Sequence, residues 1–473
     1  MALPSRDVMA AIAVTRFGLG ARPGELAAAL ADPPSFLAAQ IRGSGADQPQ
    51  PGAESAADRL GEFREYQVGR KEFRADKAAA AASGATAVPP DRDPVKMAQK
   101  MLREETGVDF LARAQLAANT DAAFRERWTL FWCNHFTVSA TKLITATVVG
   151  PFEQEAIRPH VFGTFENLLL SSSAHPGMLL YLDQYLSVGP DTVAAGFMSR
   201  GGKKAGLNEN LAREILELHT VGVDAGYTQA DVTEFARALT GWSIGGQREA
   251  KAQQGHYVFR ANAHQDGART VMGKRYGQSG PDQAAAVMHD LALSPHTARH
   301  IAVKLARHFV ADDPPAGLVA RLEASFLKSG GRLDQLALDL IKAPEAWDPA
   351  AVKFKTPYEF VISSFRSVGA APQKIETLAP LLKGMGQQAF SAPSPKGWAE
   401  DAQTWCAPDA LIKRMQFSQA FANLAVGSND PGKLAADALG ARLSAPVAKA
   451  ISRAESRQEG LAIALMSPEF QRR

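Results

Sequence analysis

Cysteine is nearly missing from this chain: Cys133 and Cys406 are the two in 473 residues. A disulfide framework is excluded, no Cys-x-x-Cys spacing exists for structural zinc, and reduced thiols are expected. No uninterrupted apolar run reaches the ~20 residues that span a bilayer, so no membrane span is expected. Asp7 and Arg16 interrupt the N-terminal segment before any clean apolar block forms. No secretory signal is read there, and a cytoplasmic location is the default expectation. Charge of one sign is not in excess either: 52 Lys and Arg stand against 49 Asp and Glu, a net charge of +3. A dedicated nucleic-acid binder concentrates a large basic surplus, so that class is set aside. A phosphate loop, a Gly-x-Ser-x-Gly elbow and a His-Glu-x-x-His helix are also absent. G-L-G-A-R-P-G follows no strand, so it is no dinucleotide fingerprint.

What the chain has is helical periodicity and an apolar fraction of 46%, enough for a sizeable core. Its length exceeds the usual single domain, so two helical lobes or one large domain with additions are the natural options. Strand-like runs are confined to G-H-Y-V-F-R-A-N-A-H-Q-D-G-A-R-T-V-M-G-K-R-Y-G. The pattern predicts an all-α fold with a small β-hairpin or irregular loop near 255–278, around Q-D-G. The chain divides into an N-terminal helical segment (1–42), a loop, helix and mobile insertion (43–94), a central helical region (95–254), the loop or hairpin (255–280) and a C-terminal helical region (281–473). Small residues and prolines from 79 to 94 predict the insertion, with little to bury. Four apolar runs end in a small residue and a proline: L-L-L-S-S-S-A-H-P, L-A-L-S-P-H, L-I-K-A-P-E and A-L-M-S-P-E. They read as helix–break–helix joints. Thr228 and Asp231 match a capping box.

Polar residues crowd two helical stretches. In W-T-L-F-W-C-N-H-F, Trp128 to Phe136, Asn134 and His135 either join a site beside an aromatic wall or close a core helix. An unpaired buried imidazole is costly, so both readings demand a partner for His135. The second stretch runs from Asn208 to Trp242. Leu211, Ile215 and Leu218 form a core stripe, with Asn210, Glu214 and Glu217 as an adjacent polar one. Asn208 reads as an N-cap, Glu209 suits the helix dipole, and Arg213 pairs with Glu217 at i, i+4. Asn210, Glu214 and His219 have no such simple explanation. Glu214-x-x-Glu217 resembles half of a carboxylate metal box, but Glu-x-x-His pairs on two helices are lacking, so no metal is assigned. Asp183, at the end of an apolar run, either caps the next turn or faces the Asn208 helix. His264 and Asp266 sit in a loop beside Gly267, as ligands or as a turn. P-S-P-K-G-W, Pro393 to Trp398, is a rigid turn serving either docking or a buried connection.

Together these stretches carry a resemblance. R-F-G-L-G-A-R-P-G-E, F-W-x-N-H-F, Y-L-D, N-E-N-x-A-R-E-x-L-E-L-H-T, Y-T-x-x-D-V-x-E-x-A-R-A-L-T-G-W and P-S-P-K-G-W occur in this order. They resemble the bacterial family catalogued as domain of unknown function 1800, over roughly Ala10 to Phe470. The family supplies no established activity. The chain is similar to proteins commonly encoded beside a sulfatase-like family, domain of unknown function 1501, whose members often carry twin-arginine export signals. The resemblance thus implies a sulfatase-like partner. The chain departs from some relatives in lacking the export signal and in having Cys133 where they place His before the Asn-His pair, which weakens a metal site there.

Two functions are consistent with these residues. The favoured one is an accessory or binding protein working with the sulfatase-like partner or its substrate, because no complete nucleophile or metal constellation appears. The alternative is a hydrolase-like enzyme. It would use His135, Glu214 and Asp183 as catalytic groups, and Asn134, Asn208, Asn210, Arg213, His219, His264 and Asp266 to hold substrate. Neither names a cofactor. The single-site expectation requires His135 within side-chain reach of Asp183, Asn210 or Glu214.

Overall fold

The computed structural model describes residues 3–83, 93–202, 206–350 and 352–473. Local chemistry sets the helix boundaries. The Thr164, Thr228, Thr356 and Ser444 hydroxyls each accept a bond from an N–H of the first turn they precede. Thr228 with Asp231, and Thr356 with Glu359, form full capping boxes. All four proline joints break a helix. Phe165–Ala174 hands over to Pro176–Tyr181, Pro281–Ala292 to Pro295–Phe309, Leu333–Lys342 to the short turn Pro344–Trp347, and Arg457–Met466 to Pro468–Gln471. At three of them His175, Ser294 or Ser467 caps the new helix, whose proline has no N–H to offer.

Among the described residues four helices widen into π-turns, at Ala13–Phe17, Leu102–Gly107, Glu153–Ile157 and Ile215–His219. Such turns re-aim the side chains beyond them and recur at functional sites. Ala56–Ser83 is one helix of 28 residues. Residues 79–83 of the expected insertion are therefore helical, and 84–92 lie outside the described residues.

Helix accounts for 64% and strand for 4% of the structure, so the fold is all-α with a minor β part. Among the described residues two antiparallel hairpins make up that part. Tyr257–Phe259 pairs with Trp242–Ile244, Val258 opposite Ser243, and Arg269–Val271 pairs with Lys274–Tyr276, Thr270 opposite Arg275. The runs on either side of Gln265-Asp266-Gly267 therefore pair elsewhere rather than with each other. The tight turn is Met272-Gly273, both left-handed at φ 47° and 78°, as a two-residue hairpin requires. The Met272 N–H donates to Asp231 Oδ1 at 2.6 Å, which helps hold a non-glycine residue in that conformation.

One contiguous apolar cluster runs from Met9 to Phe470. Aromatic rings fill its centre, Phe17 against Trp347 at 4.9 Å and Trp128 stacked on Phe162 at 6.1 Å. Among the described residues no helix is long and apolar enough to cross a membrane.

Candidate active site

The Ala123–His135 helix carries the consecutive charges Arg125, Glu126 and Arg127 between Phe124 and Trp128, and all are buried. Successive helix positions turn about 100°, so the three charges reach three different segments. Arg125 pairs with Asp47 at 2.8 Å and donates to the Gln40 carbonyl at 2.7 Å. Glu126 accepts two parallel bonds from Arg158, at 2.8 and 2.9 Å. Arg127 donates to Glu359 and to the Gly18 carbonyl, both at 2.6 Å, and Arg473 meets the same Glu359 oxygen at 3.2 Å. Burial opposes ionisation of Glu359, but Arg473 and Arg127 outweigh it and hold the carboxyl well below the usual range.

The end of this helix borders a cleft of about 850 Å³, counting its solvent-open part. Phe110, Phe390 and Trp398 give it apolar surface, Arg113, Arg127, Glu153, Glu359 and Glu400 a charged side, and His308 an imidazole. Asn134 clamps one edge. Its Oδ1 accepts from the Trp398 N–H at 2.7 Å and its Nδ2 donates to the Trp398 carbonyl at 3.0 Å. The P-S-P-K-G-W turn is thereby locked onto the Asn-His pair. Gly397 has φ +85°, and a Cβ there would stand 2.4 Å from the Asn134 carbonyl oxygen, so the close approach needs glycine.

Arg113 pairs with Glu153 at 2.7 Å and lies 4.9 to 5.1 Å from the ring centres of Tyr358, Phe390 and Phe110. His308, in the last turn of Pro295–Phe309, places Nδ1 2.6 Å from Glu400 Oε1. Its Nε2 is buried without a hydrogen-bond partner, and the buried Tyr358 hydroxyl has the Arg113 guanidinium beside it. Burial raises Tyr358 to about 12, so it stays protonated. Burial also pushes His308 down in spite of Glu400. Glu400 is held at about 2, because His308, Lys353 and Arg473 outweigh its own burial. At neutral pH this is a neutral imidazole with Nδ1–H directed at a carboxylate and a lone pair left on Nε2. Cys133 lines the cleft too, but burial lifts its thiol well above the ordinary value and keeps it protonated. Among the described residues no group of three or more His, Cys, Asp or Glu is placed to hold a metal ion.

The residues singled out from the sequence fall in several places. Asn134 borders the cleft, while His135 is not among its lining residues. His135 Nε2 donates to the His219 carbonyl at 3.1 Å, and its ring lies 6.0 Å from that of His219 and 6.4 Å from that of His300. The two motif stretches thus meet, through His135 and His219. Asp183, Asn208 and Glu214 lie elsewhere, half-buried to exposed. Asn208 Nδ2 donates to the Leu182 and Asp183 carbonyls at 2.9 and 3.0 Å, and its Oδ1 caps the Asn210 N–H at 2.9 Å. Asp183 is left-handed at φ 56° and pairs with Lys142 at 2.7 Å. Glu214 sits near Tyr181 with no hydrogen bond of its own, and burial followed by Glu217 raises its carboxyl. The Asn210 side chain is exposed. Arg213 pairs with Glu209 and Glu217, both at 3.3 Å. His264 is buried with Nδ1 2.9 Å from the Thr240 carbonyl, and Asp266 is exposed, its carbonyl taking a bond from Arg269 at 2.6 Å. No hydrogen bond, ion pair or ring contact joins His135 to Asp183, Asn210 or Glu214.

His308, Glu400, Tyr358 and Arg113 were not singled out in the sequence. Two signals pointed their way. Three consecutive charges inside an aromatic helix demand buried partners, and P-S-P-K-G-W runs on through Ala399 to Glu400. His308 and Tyr358 had no local signal.

No curated protein and no solved structure matches the chain. A family model does, across residues 12–472, and it takes in every motif quoted from the sequence. The chain belongs to the family described as Protein of unknown function (DUF1800).

Proposed function

We propose that the protein is a hydrolase-like enzyme whose active site is the cleft and whose general base is His308. What carries this is one geometry: on a residue that lines the cleft, an imidazole oriented through Nδ1 by Glu400 has its buried Nε2 left without a partner. A water at Nε2 gives up a proton there as its oxygen attacks an acyl carbon. The imidazolium that forms is stabilised by the ionised Glu400. The Tyr358 hydroxyl, kept protonated beside Arg113, and the Arg113 guanidinium supply donors for the developing oxyanion. His308 then returns the proton to the leaving oxygen, sulfur or nitrogen. Burial that keeps His308 neutral at pH 7 serves this cycle, since a base must start unprotonated.

The accessory role beside a sulfatase-like protein of the domain of unknown function 1501 family rests on resemblance alone. The Asp183–Asn208–Glu214 group offers no base held by a second group, because Asp183 is paired with Lys142 and Glu214 is bonded to nothing.

The test is hydrolysis of a panel of small esters, thioesters and amides by the full chain, compared with His308→Asn and Glu400→Gln. General-base catalysis contributes about 10²–10⁴-fold, so His308→Asn is expected to lose at least about 10²-fold in kcat with the fold retained. Glu400→Gln is expected to lose less. Activity that persists in folded His308→Asn, or no turnover of any class by the wild-type protein, rejects the proposal.

A further inference from the structure

Two short segments that are distant in the chain, Lys353 to Lys355 and Gln471 to Arg473, lie side by side behind the cleft. The Arg473 N–H donates to the Lys353 carbonyl and the Lys355 N–H to the Gln471 carbonyl, both at 2.9 Å, with Phe354 and Arg472 as the antiparallel bridge between them. One end of this pair carries two buried cations, since the Lys353 and Arg473 side chains are both inside the protein. Arg473 Nη1 donates to the His308 carbonyl at 2.7 Å, and its Nη2 lies 3.2 Å from Glu359 Oε1. Lys353 Nζ donates to the Glu400 carbonyl and to Asp312, whose other oxygen accepts from the Ala402 N–H at 2.8 Å.

Part of this is ordinary helix chemistry. His308 lies in the last turn of Pro295–Phe309, where carbonyls have no partner within the helix, and a cation is favourable there. That does not account for Lys353. The Glu400 carbonyl belongs to a loop, and a neutral donor would satisfy it without the cost of burying an ammonium. The two neighbouring cations take the backbones of the same two residues whose side chains meet, His308 Nδ1 at 2.6 Å from Glu400 Oε1. That bond joins a helix end to a loop, so its length depends on where the two backbones are held.

We propose that Arg473 and Lys353 are positioning residues for the base: side by side on one bridge, they hold the His308 and Glu400 backbones at the separation that the side-chain hydrogen bond needs. The inference rests on His308 being the general base. Neither cation lines the cleft, so each acts through the His308–Glu400 pair. A reacting constellation has to be held to within about 0.5 Å, which requires a fixed layer of supporting contacts. Arg473 also acts through its charge. His308 is faced by Glu400 from the loop, Glu359 from the Pro357–Ser367 helix, Arg127 from the Ala123–His135 helix and Arg473 from the bridge, with Lys304 one turn back on its own helix. Burial lowers the imidazole most, Glu400 opposes, and Arg473 and Arg127 lower it further. Without the Arg473 charge, His308 takes up its proton at higher pH.

NMR of the histidine-labelled full chain tests this, with the His308 ring assigned by its loss in His308→Asn. In the wild-type protein the Nδ1–H proton is expected to exchange slowly with water. Arg473→Gln and Lys353→Met should each speed that exchange at least about tenfold. Each should also lower kcat about tenfold, with KM little changed, on whichever ester, thioester or amide the wild-type protein hydrolyses. Arg473→Gln should in addition move the His308 titration and the acid limb of kcat/KM to higher pH, and Lys353→Met should move them less. Glu359 keeps Arg127 in the first variant, and the half-exposed Asp312 meets water in the second, so both should fold. Unchanged exchange in folded Arg473→Gln, or in Lys353→Met should the first not fold, overturns the proposal. So does unchanged kcat on a substrate that the wild-type protein turns over. Faster exchange in both variants of a protein that hydrolyses nothing supports the brace and sinks the hydrolytic reading alone.

Discussion

The Ala123–His135 helix and the Asn208 to His219 stretch are both rich in charge, and they use it in opposite ways. Arg127 reaches Glu359, 232 residues away, and neither side chain is more than 9% exposed. Arg213 reaches Glu209 and Glu217 one turn away on its own stretch and Gln229 at the head of the next helix, and remains 36% exposed. A buried long-range pair determines which segments may lie together, because separating it leaves a charge in the interior. A surface pair at i, i+4 only decorates a helix that would form anyway. The cleft lies at the end of the first kind of helix. Its walls are held by side chains with fixed partners, as a preorganised site requires.

The largest effect that could break this comparison is at Glu126. Glu126→Gln removes the charge and one of the two acceptor oxygens facing a fully buried bidentate arginine, and the expected loss is about 3–5 kcal/mol. Arg213→Ala, its surface counterpart, should lose about 0.3–0.5 kcal/mol. Urea unfolding midpoints at pH 7.5 measure both. Similar losses from the two variants would abolish the distinction between architectural and decorative charge. Glu126→Gln combined with Arg158→Met should recover much of the loss, since no charge is then stranded.

Acid should reveal where the two motif stretches meet. Burial, with Lys304 beside it, lowers His219 to about 3 and His300 to about 4. Below pH 6.5 the unfolded chain therefore binds protons that the native protein refuses. Stability falls as pH drops through 6.5 and continues to fall down to those lowered values. By pH 5 the loss is about 2 kcal/mol per imidazole. Thermal midpoints at pH 7.5 and 5 report it, and His219→Phe should remove its own share of the acid-induced drop. An equal drop in that variant would mean that His219 already binds its proton in the folded state.

Local features of the fold were legible in the sequence and assembled ones were not. The four helix breaks follow from single prolines, and the Thr228 cap from one hydroxyl and one carboxylate in the same turn. The Arg213–Glu217 pair follows from spacing alone. The cleft draws Asn134, His308, Tyr358 and Trp398 from four distant parts of the chain, and nothing in periodicity says which of them meet. Asn134 and His135 look like one unit because they are adjacent. On a helix, neighbours diverge by about 100°, and here one clamps the cleft while the other joins His219. The strand runs near 255–278 were legible as strands, but their partners depend on a glycine-containing turn at Met272-Gly273 and on Trp242–Ile244 arriving from outside.

Glu214 should give the smallest effect, and it sharpens the comparison most finely. As a polar residue without a cap or pair, it looked like a catalytic group. Its carboxylate is half-buried, unbonded, and raised by burial and by Glu217. A raised carboxyl holds its proton more tightly in the native state than in the unfolded one. Ionisation near neutral pH therefore subtracts stability, and the subtraction disappears at pH values low enough to protonate the side chain in both states. Glu214→Gln keeps the shape and removes the ionisation. At pH 7.5 its stability should equal or slightly exceed that of the wild-type protein, within about 0.5 kcal/mol, and the difference should close at pH 4. Hydrolytic activity, if the cleft is the site, should be unchanged in the same variant. A marked loss of stability would give Glu214 a charged partner that only the folded protein provides. A loss of turnover at full stability would move the catalytic centre from His308 to the Asn208 helix.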